Sequence, residues 1–351
     1  MGIRLYLIAQ TDSILKASAA PKQHCIRPRS GYFKRRKLKC YPSRMRLHPT
    51  GRFDNHAASY QHIEVRPLSA AMGAEICGVQ AAEVTDAQFE EVRHALFRHK
   101  MIYLRGQRLT HESHEAFSLR FGPFAEDAYT QGVPGHRNVH PLIKEPDDPS
   151  KHVFGEGWHT DSPFLPEPPA ITMLRSVQIP PYGGDTTWAN SALAYTYLSE
   201  VYRQLIAGLK VHFSLRDVLR SVQESVQVSD SPMGQLAATR GAEKLSDNLV
   251  RKVKGNCHPL VRTHPVTGEK ALYVDSSYAI GIEGMYDEES APILKYLTDH
   301  LTQPVLGCHL RWETNMLAIW DNRLCVHQAY NDYQGFRREL YRTTVQGEKP
   351  A

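Results

Sequence analysis

MLAIWDNRLCVHQAYNDYQGFRRELYRTTV, residues 316–345, carries two apolar strand runs about the Asp321-Asn322 turn and a third run, RRELYRTTV, after a polar stretch. Working outward, HPLVRTHPVTGEKALYV (258–274) reads as a hairpin about Thr267-Gly268. LKVHFSL near 209–215, AITMLRSVQI and GDTTWAN read as further short strands, and a helical stretch begins near Ser191. Nearer the N-terminus, IEVRPL alternates from Ile63, and AMGAEICGV follows with Gly73 and Gly78 as turn residues, a hairpin-like start. Thr85 or Asp86 can cap a helix in which Phe89, Val92, Leu96 and Phe97 recur at helical spacing. KMIYLRG (100–106) is an apolar strand, and a second helix, capped by Thr110, runs to Arg120 and stops at Gly122-Pro123. Helices first and many short strands later predict a mainly β sandwich or barrel with flanking helices.

Two segments escape this pattern. Residues 124–158 are rich in Gly, Pro, His and Asp and read as a long polar loop, the kind that in compact domains usually carries function or is disordered. Residues 217–256 are charged and rich in Ser and Gln, and read as a helical or mobile insertion suited to a lid.

The chain has 351 residues, 41% of them hydrophobic, enough for a substantial core in one large domain or two smaller ones. No run approaches the roughly 18 apolar residues a membrane-spanning helix needs. The formal charge is +5, yet residues 1–50 hold 12 Lys/Arg against one acid, Asp12. That leaves 30 basic and 36 acidic side chains in residues 51–351, so the body offers no general surface for nucleic acid. Residues 1–60 read as a basic, unstructured segment ahead of a catalytic domain at 61–351. Three origins fit the segment: a transit peptide, a basic nucleic-acid or import arm, and translated upstream sequence before a start at Met45. The last is favoured, because Pro21, Pro28, Pro42 and Pro49 interrupt a presequence helix. Six scattered cysteines (Cys25, Cys40, Cys77, Cys257, Cys308, Cys325) without a CxxC pair fit a reducing, cytoplasmic setting.

The strongest chemical signal is Trp158-His159-Thr160-Asp161. In an extended segment positions i and i+2 share a face, so an imidazole and a carboxylate converge and a metal can bridge them. One more histidine completes a 2-His-1-carboxylate triad with open positions on iron(II), and His327 in LCVHQA is the best candidate. A bare His-x-Asp also suits a hydrogen-bonded surface histidine, so the decision rests on context. Cys325, two residues before His327, reads as a small buried packing residue ahead of a thiolate ligand. Arg338 and Arg342 follow His327 by 11 and 15 residues, and on a strand 338, 340 and 342 share one face. Paired guanidinium groups suit bidentate recognition of a dicarboxylate co-substrate and a second anion, whereas an exposed strand edge would explain Arg337 and one of the other two but not their spacing.

RHKMIYLRGQ, WHTDSPF with PPA shortly after, GGDTTWAN, VRTHPVTGEKALYV and AIWDNRLCVHQAYNDYQGFRRELYRTTVQGEKP together resemble the TauD/TfdA family of iron(II)- and 2-oxoglutarate-dependent dioxygenases over residues 62–350. The resemblance implies a double-stranded β-helix, the clavaminate synthase-like jelly roll, and a homo-oligomer, dimer or tetramer. It makes His159, Asp161 and His327 the iron ligands, Thr186 and Arg338 the anchors of 2-oxoglutarate, and Arg342 the group facing the substrate anion. The implied reaction consumes O2 and 2-oxoglutarate, yields succinate and CO2, and hydroxylates the substrate.

The match weakens where substrate is chosen. Family members that act on taurine place a histidine shortly after the RFG segment and an asparagine four residues before the first iron histidine. Here Asp127 and Gly155 stand at about those places. Tyr129 and Phe154 are further candidates to line the substrate pocket. A small anionic substrate is expected: a sulfonate, an alkyl sulfate or a carboxylate. Alternatives are a taurine dioxygenase proper, releasing sulfite and aminoacetaldehyde, a metal hydrolase, and a non-catalytic metal-binding jelly-roll module.

Overall fold

The computed structural model describes residues 54–351, except 128–131, 149–154, 227–233, 235–236 and 241–245. Strands β1 (Glu64–Pro67) and β2 (Ala74–Cys77) pair antiparallel as the first hairpin. Helix α1 (Asp86–His99) starts where expected, because the Thr85 hydroxyl accepts from Gln88 N while the Gln88 side chain accepts from Thr85 N. It buries Phe89, Val92, Ala95 and Leu96. Strand β3 (Met101–Leu104) and helix α2 (His111–Leu119), capped by Thr110, follow.

The polar stretch 124–158 is not all loop: it contains strand β4 (His140–Lys144), which pairs with the last strand of the fold. A proline at its second residue and a charged end hide it from a hydrophobic pattern. Next come β5 (Ile171–Gln178), β6 (Thr186–Asn190), α3 (Ser191–Tyr197), α4 (Glu200–Ile206) and β7 (Lys210–Phe213). The 217–256 region contributes α5 (Arg216–Ser225) and α6 (Asp247–Lys254), and its last residue begins β8 (Asn256–Pro259). The hairpin about Thr267-Gly268 is β9 (Val261–Thr263) with β10 (Lys270–Leu272). Strand β11 (Ala279–Ile282), helix α7 (Asp287–Leu301) and strand β12 (Gly307–Leu310) precede β13 (Leu317–Asp321), β14 (Cys325–Ala329) and β15 (Arg338–Val345).

The strands divide into a seven-stranded sheet, β1-β2-β3-β13-β5-β15-β4, and a three-stranded sheet, β12-β6-β14, with β11-β7-β8 and β10-β9 beside them. The Asp321-Asn322 turn therefore makes no hairpin. It carries the chain from one sheet to the other, and β13 and β14 lie in different layers. Both faces of the large sheet are covered, which is why β3 is apolar at every position. Ile102 and Leu104 pack with Phe89, Leu96 and Phe117 under the helices, whereas Met101 and Tyr103 pack with Trp188, Cys308 and Cys325 of the small sheet. This is the jelly roll, with α1 and α2 against its large sheet and α3 and α7 against β10, β14 and β11. Trp188 fills the interval between the sheets and is fully buried. Trimming such a side chain to alanine costs about 3–5 kcal/mol.

Candidate active site

His159 and His327 face each other across a two-residue antiparallel bridge: His159 N donates to His327 O at 2.9 Å and His327 N donates to His159 O at 2.7 Å. Ala329 N donates to Gly155 O at 2.8 Å, so residues 155–159 run beside β14. Gly155 sits at φ +82, and a Cβ there would stand 3.0 Å from the His159 ring, so the close approach calls for glycine. Asp161 lies two residues on, and Ser162 then turns the chain at φ +47, a left-handed conformation for a non-glycine residue. One donor atom from each of His159, Asp161 and His327 lies within 4.8 Å of the others, and all three residues are buried. Asp161 Oδ1 is 3.9 Å from both His159 Nε2 and His327 Nε2.

The surroundings set the donors' states. His159 Nδ1 lies 2.7 Å from Gly157 O, an atom that only accepts, so Nδ1 is the donor there and Nε2 is the nitrogen turned toward Asp161. Burial pushes His327 down to about 3, aided by the neighbouring His159, so its imidazole is neutral. Trp320 and Trp188 hold its ring, with centroids 4.7 and 6.5 Å away. Burial alone would raise Asp161, but His327, Arg342, His159 and the Thr172 hydroxyl hold its carboxyl below the usual range. Thr172 Oγ1 donates to Asp161 Oδ2 at 2.5 Å and accepts from Asn322 Nδ2 at 2.8 Å. Asn322 Oδ1 in turn accepts from Trp320 Nε1 at 3.0 Å. Thr172 and Asn322 thus aim Asp161 Oδ1 at the histidines. Sequence reading took the first as a strand position and the second as a turn residue. Cys325 packs in the core, its thiol raised well above the ordinary value by burial, which disfavours a thiolate ligand.

Arg338 and Arg342 line one cavity with His159, Asp161, His327 and Thr186. Arg338 Nε donates to Gly184 O at 3.1 Å, while its buried Nη2 has no hydrogen-bond partner among the described residues. Trp312 Nε1 donates to Thr186 Oγ1 at 2.9 Å, which leaves the Thr186 hydroxyl proton for another acceptor. Gly184, at φ +70, is needed here because a Cβ would stand 3.0 Å from Arg338 Nε. Asp127, named from the sequence as a separate substrate residue, is an ion-pair partner of Arg342: its Oδ2 lies 2.5 Å from Arg342 Nη2. His140 Nδ1 is 3.9 Å from the same Oδ2, and Arg342 Nη1 is 3.9 Å from Asp161 Oδ1. Tyr129 and Phe154 lie outside the described residues. His140 and Lys144 reach this part of the molecule on β4, opposite Arg342 and Arg338 in register, which the loop reading could not show.

The chain matches the family described as "Taurine catabolism dioxygenase TauD, TfdA family" over residues 64–344. It is 34% identical over 291 residues to an alpha-ketoglutarate-dependent sulfate ester dioxygenase of Pseudomonas putida, covering 82% of this chain and 91% of that protein. It is 29% identical to an alkylsulfatase of Acinetobacter baylyi, covering 82% and 86%. The crystal structure of a taurine dioxygenase from Burkholderia xenovorans superposes with a TM-score of 0.66 at 35% identity, covering 83% of this chain and 91% of that one. A match spanning nearly the whole described chain, on the same jelly roll, decides what the paired histidines and arginines left open: the chain belongs to the TauD/TfdA family and is a 2-oxoglutarate-dependent dioxygenase.

Proposed function

We propose that His159, Asp161 and His327 bind iron(II), that Arg338 and Thr186 bind the distal carboxylate of 2-oxoglutarate, and that Arg342 faces the anion of a sulfate ester, sulfonate or carboxylate. The observation that carries this reading is a single cavity holding both a buried set of three donor atoms within 4.8 Å and an unpartnered guanidinium nitrogen of Arg338. The donors fit the metal: two imidazoles, that of His327 held neutral by burial, and one carboxylate held below its usual range form a set that suits iron(II) and leaves positions open. Bound there, the metal supplies the coupled decarboxylation of 2-oxoglutarate and hydroxylation of a C–H bond.

The chain's own residues bind and orient. A buried guanidinium without an anion is costly, so Arg338 favours a carboxylate at Nη2, and the Thr186 hydroxyl donates beside it. Leu142, Leu174 and Trp320 give the same cavity an apolar part of its wall. An anionic substrate is supported by Arg342 in the cavity wall and by relatives whose names specify sulfate esters. Hydroxylation at the carbon bearing the ester oxygen would release an aldehyde and sulfate. A cytoplasmic homo-oligomer completes the proposal. Its support is four free cysteines among the described residues, Cys77, Cys257, Cys308 and Cys325, and exposed Val201, Leu205 and Tyr296 on α4 and α7.

The test is succinate release with iron(II), ascorbate and 2-oxoglutarate across alkyl sulfates, sulfonates and aryloxy acids, on wild type, Arg338→Ala and Arg342→Ala. Removing a charged partner of a bound anion costs about 2–5 kcal/mol, so Arg338→Ala should raise KM for 2-oxoglutarate well over tenfold. Arg342→Ala should instead weaken the primary substrate while slow, uncoupled succinate release continues. Identical defects in the two variants would refute the separation of roles.

A further inference from the structure

β4 and β15 pair so that Lys144 stands directly opposite Arg338. Directly opposed residues of an antiparallel pair project from the same face, so the lysine shares the cavity side of the sheet with the arginine. Lys144 is buried, and its Nζ donates to Asn331 Oδ1 at 2.6 Å and to Gln334 Oε1 at 3.4 Å. It therefore ties together the two ends of the turn 331–334 between β14 and β15. Two further contacts lead from that turn to the arginine. Gly184 N donates to Asp332 Oδ1 at 2.7 Å, and Gly184 O accepts from Arg338 Nε at 3.1 Å. Tyr333, also in the turn and buried, has Lys144 Nζ 5.0 Å and Arg338 Cζ 5.8 Å from its ring centre, so one aromatic face system serves both cations.

We propose that Lys144 is a positioning residue for 2-oxoglutarate, holding the 331–334 turn and through it Gly184 and Arg338, and adding a second buried positive charge at the co-substrate's distal carboxylate. This rests on the assignment of Arg338 to that carboxylate. Among the described residues neither cation forms an ion pair. Asp185 and Asp332 act on Arg338, and Asp148 and Glu156 on Lys144, only at longer range. Two buried cations without a paired anion make a pole that an entering carboxylate completes, even where it touches Arg338 alone. A lysine that merely satisfied a turn would leave 2-oxoglutarate affinity unchanged when replaced, which separates the two roles.

The experiment is calorimetric titration of 2-oxoglutarate into the Mn(II)-loaded full-length protein, for wild type, Lys144→Met, Lys144→Arg, Asn331→Ala and Arg338→Ala. Mn(II) affinity and the thermal midpoint are measured on each. Perturbing a network that holds a ligand contact shifts binding by about 0.5–2 kcal/mol, so Lys144→Met should weaken 2-oxoglutarate about two- to thirtyfold. Lys144→Arg, which keeps the charge, should recover most of the affinity, and Mn(II) binding should not change. Should Lys144→Met fail to fold, Asn331→Ala removes the acceptor of the shorter bond and carries the same expectation. Wild-type affinity in Lys144→Met or Asn331→Ala beside a weakened Arg338→Ala overturns the inference. Wild-type affinity in Arg338→Ala overturns the assignment on which it rests.

Discussion

Asp127 Oδ2 lies 2.5 Å from Arg342 Nη2, with both side chains buried, so the cation proposed to meet the substrate's anion already carries a carboxylate partner. Asp127→Asn keeps a hydrogen-bond acceptor but removes the opposing charge. Leaving a buried charge less well partnered costs about 1–3 kcal/mol, so stability should fall by that order. The released field of Arg342 should lower KM for an anionic substrate severalfold, and the anion should restore part of the lost stability. Urea unfolding with and without an alkyl sulfate, alongside its KM, checks both. An unchanged KM would mean that Arg342 does not meet the anion.

The metal set makes a sharper demand. His159→Ala, Asp161→Ala and His327→Ala should each lose iron and turnover, because two remaining donors cannot define the site. Iron measured after reconstitution and desalting decides this, and wild-type occupancy in all three variants would refute the assignment.

Thr172 offers a subtler variant. Thr172→Val keeps the shape of the side chain but removes the hydroxyl that donates to Asp161 Oδ2 and accepts from Asn322. Loss of such a partner behind a metal ligand typically lowers metal affinity about 10–100-fold. Competition with a chelator gives the measurement; affinity within twofold of wild type would show that Asp161 needs no such support.

Stability should fall on mild acidification. Burial lowers His99 to about 4, helped by the cations Arg98 and Lys100, and lowers His114 to about 3, helped by Arg175 and His111. Both are neutral in the folded chain, whereas unfolded histidine titrates near about 6.5. Below that pH the unfolded chain binds protons that the folded one refuses. The stabilising contribution is therefore complete above about 6.5 and is lost as pH falls toward the folded values. Each histidine adds a slope of about 1.4 kcal/mol per pH unit in that window. Urea midpoints at pH 7.5, 6 and 5 check this, and His114→Asn should flatten the slope by one such step. A stability independent of pH across the range would contradict it.

Much of this molecule could be read locally. The spacing of Phe89, Val92 and Leu96 defined α1, and Thr85 and Thr110 marked where two helices begin. Alternation in RRELYRTTV put Arg338 and Arg342 on one face, and the i, i+2 spacing in WHTD put His159 beside Asp161, as both the register and the cavity show. Reading failed where an element lacks an apolar period. β4 reads His-Pro-Leu-Ile-Lys, and only its pairing with β15 makes it a strand.

The sequence by itself determined which side chains share a face and which chemistry they carry, because those follow from backbone periods of two and 3.6 residues and from residue type. Tertiary structure alone decided which faces meet. Nothing local says that the Asp321-Asn322 turn crosses between sheets instead of closing a hairpin, that Asp127 is the counter-ion of Arg342, or that Lys144 and Arg338 flank one tyrosine. Those relationships join residues far apart in the chain, and they exist because two sheets can bury their apolar faces together in this arrangement. The polar groups on the same faces are then carried into contact and must find partners there.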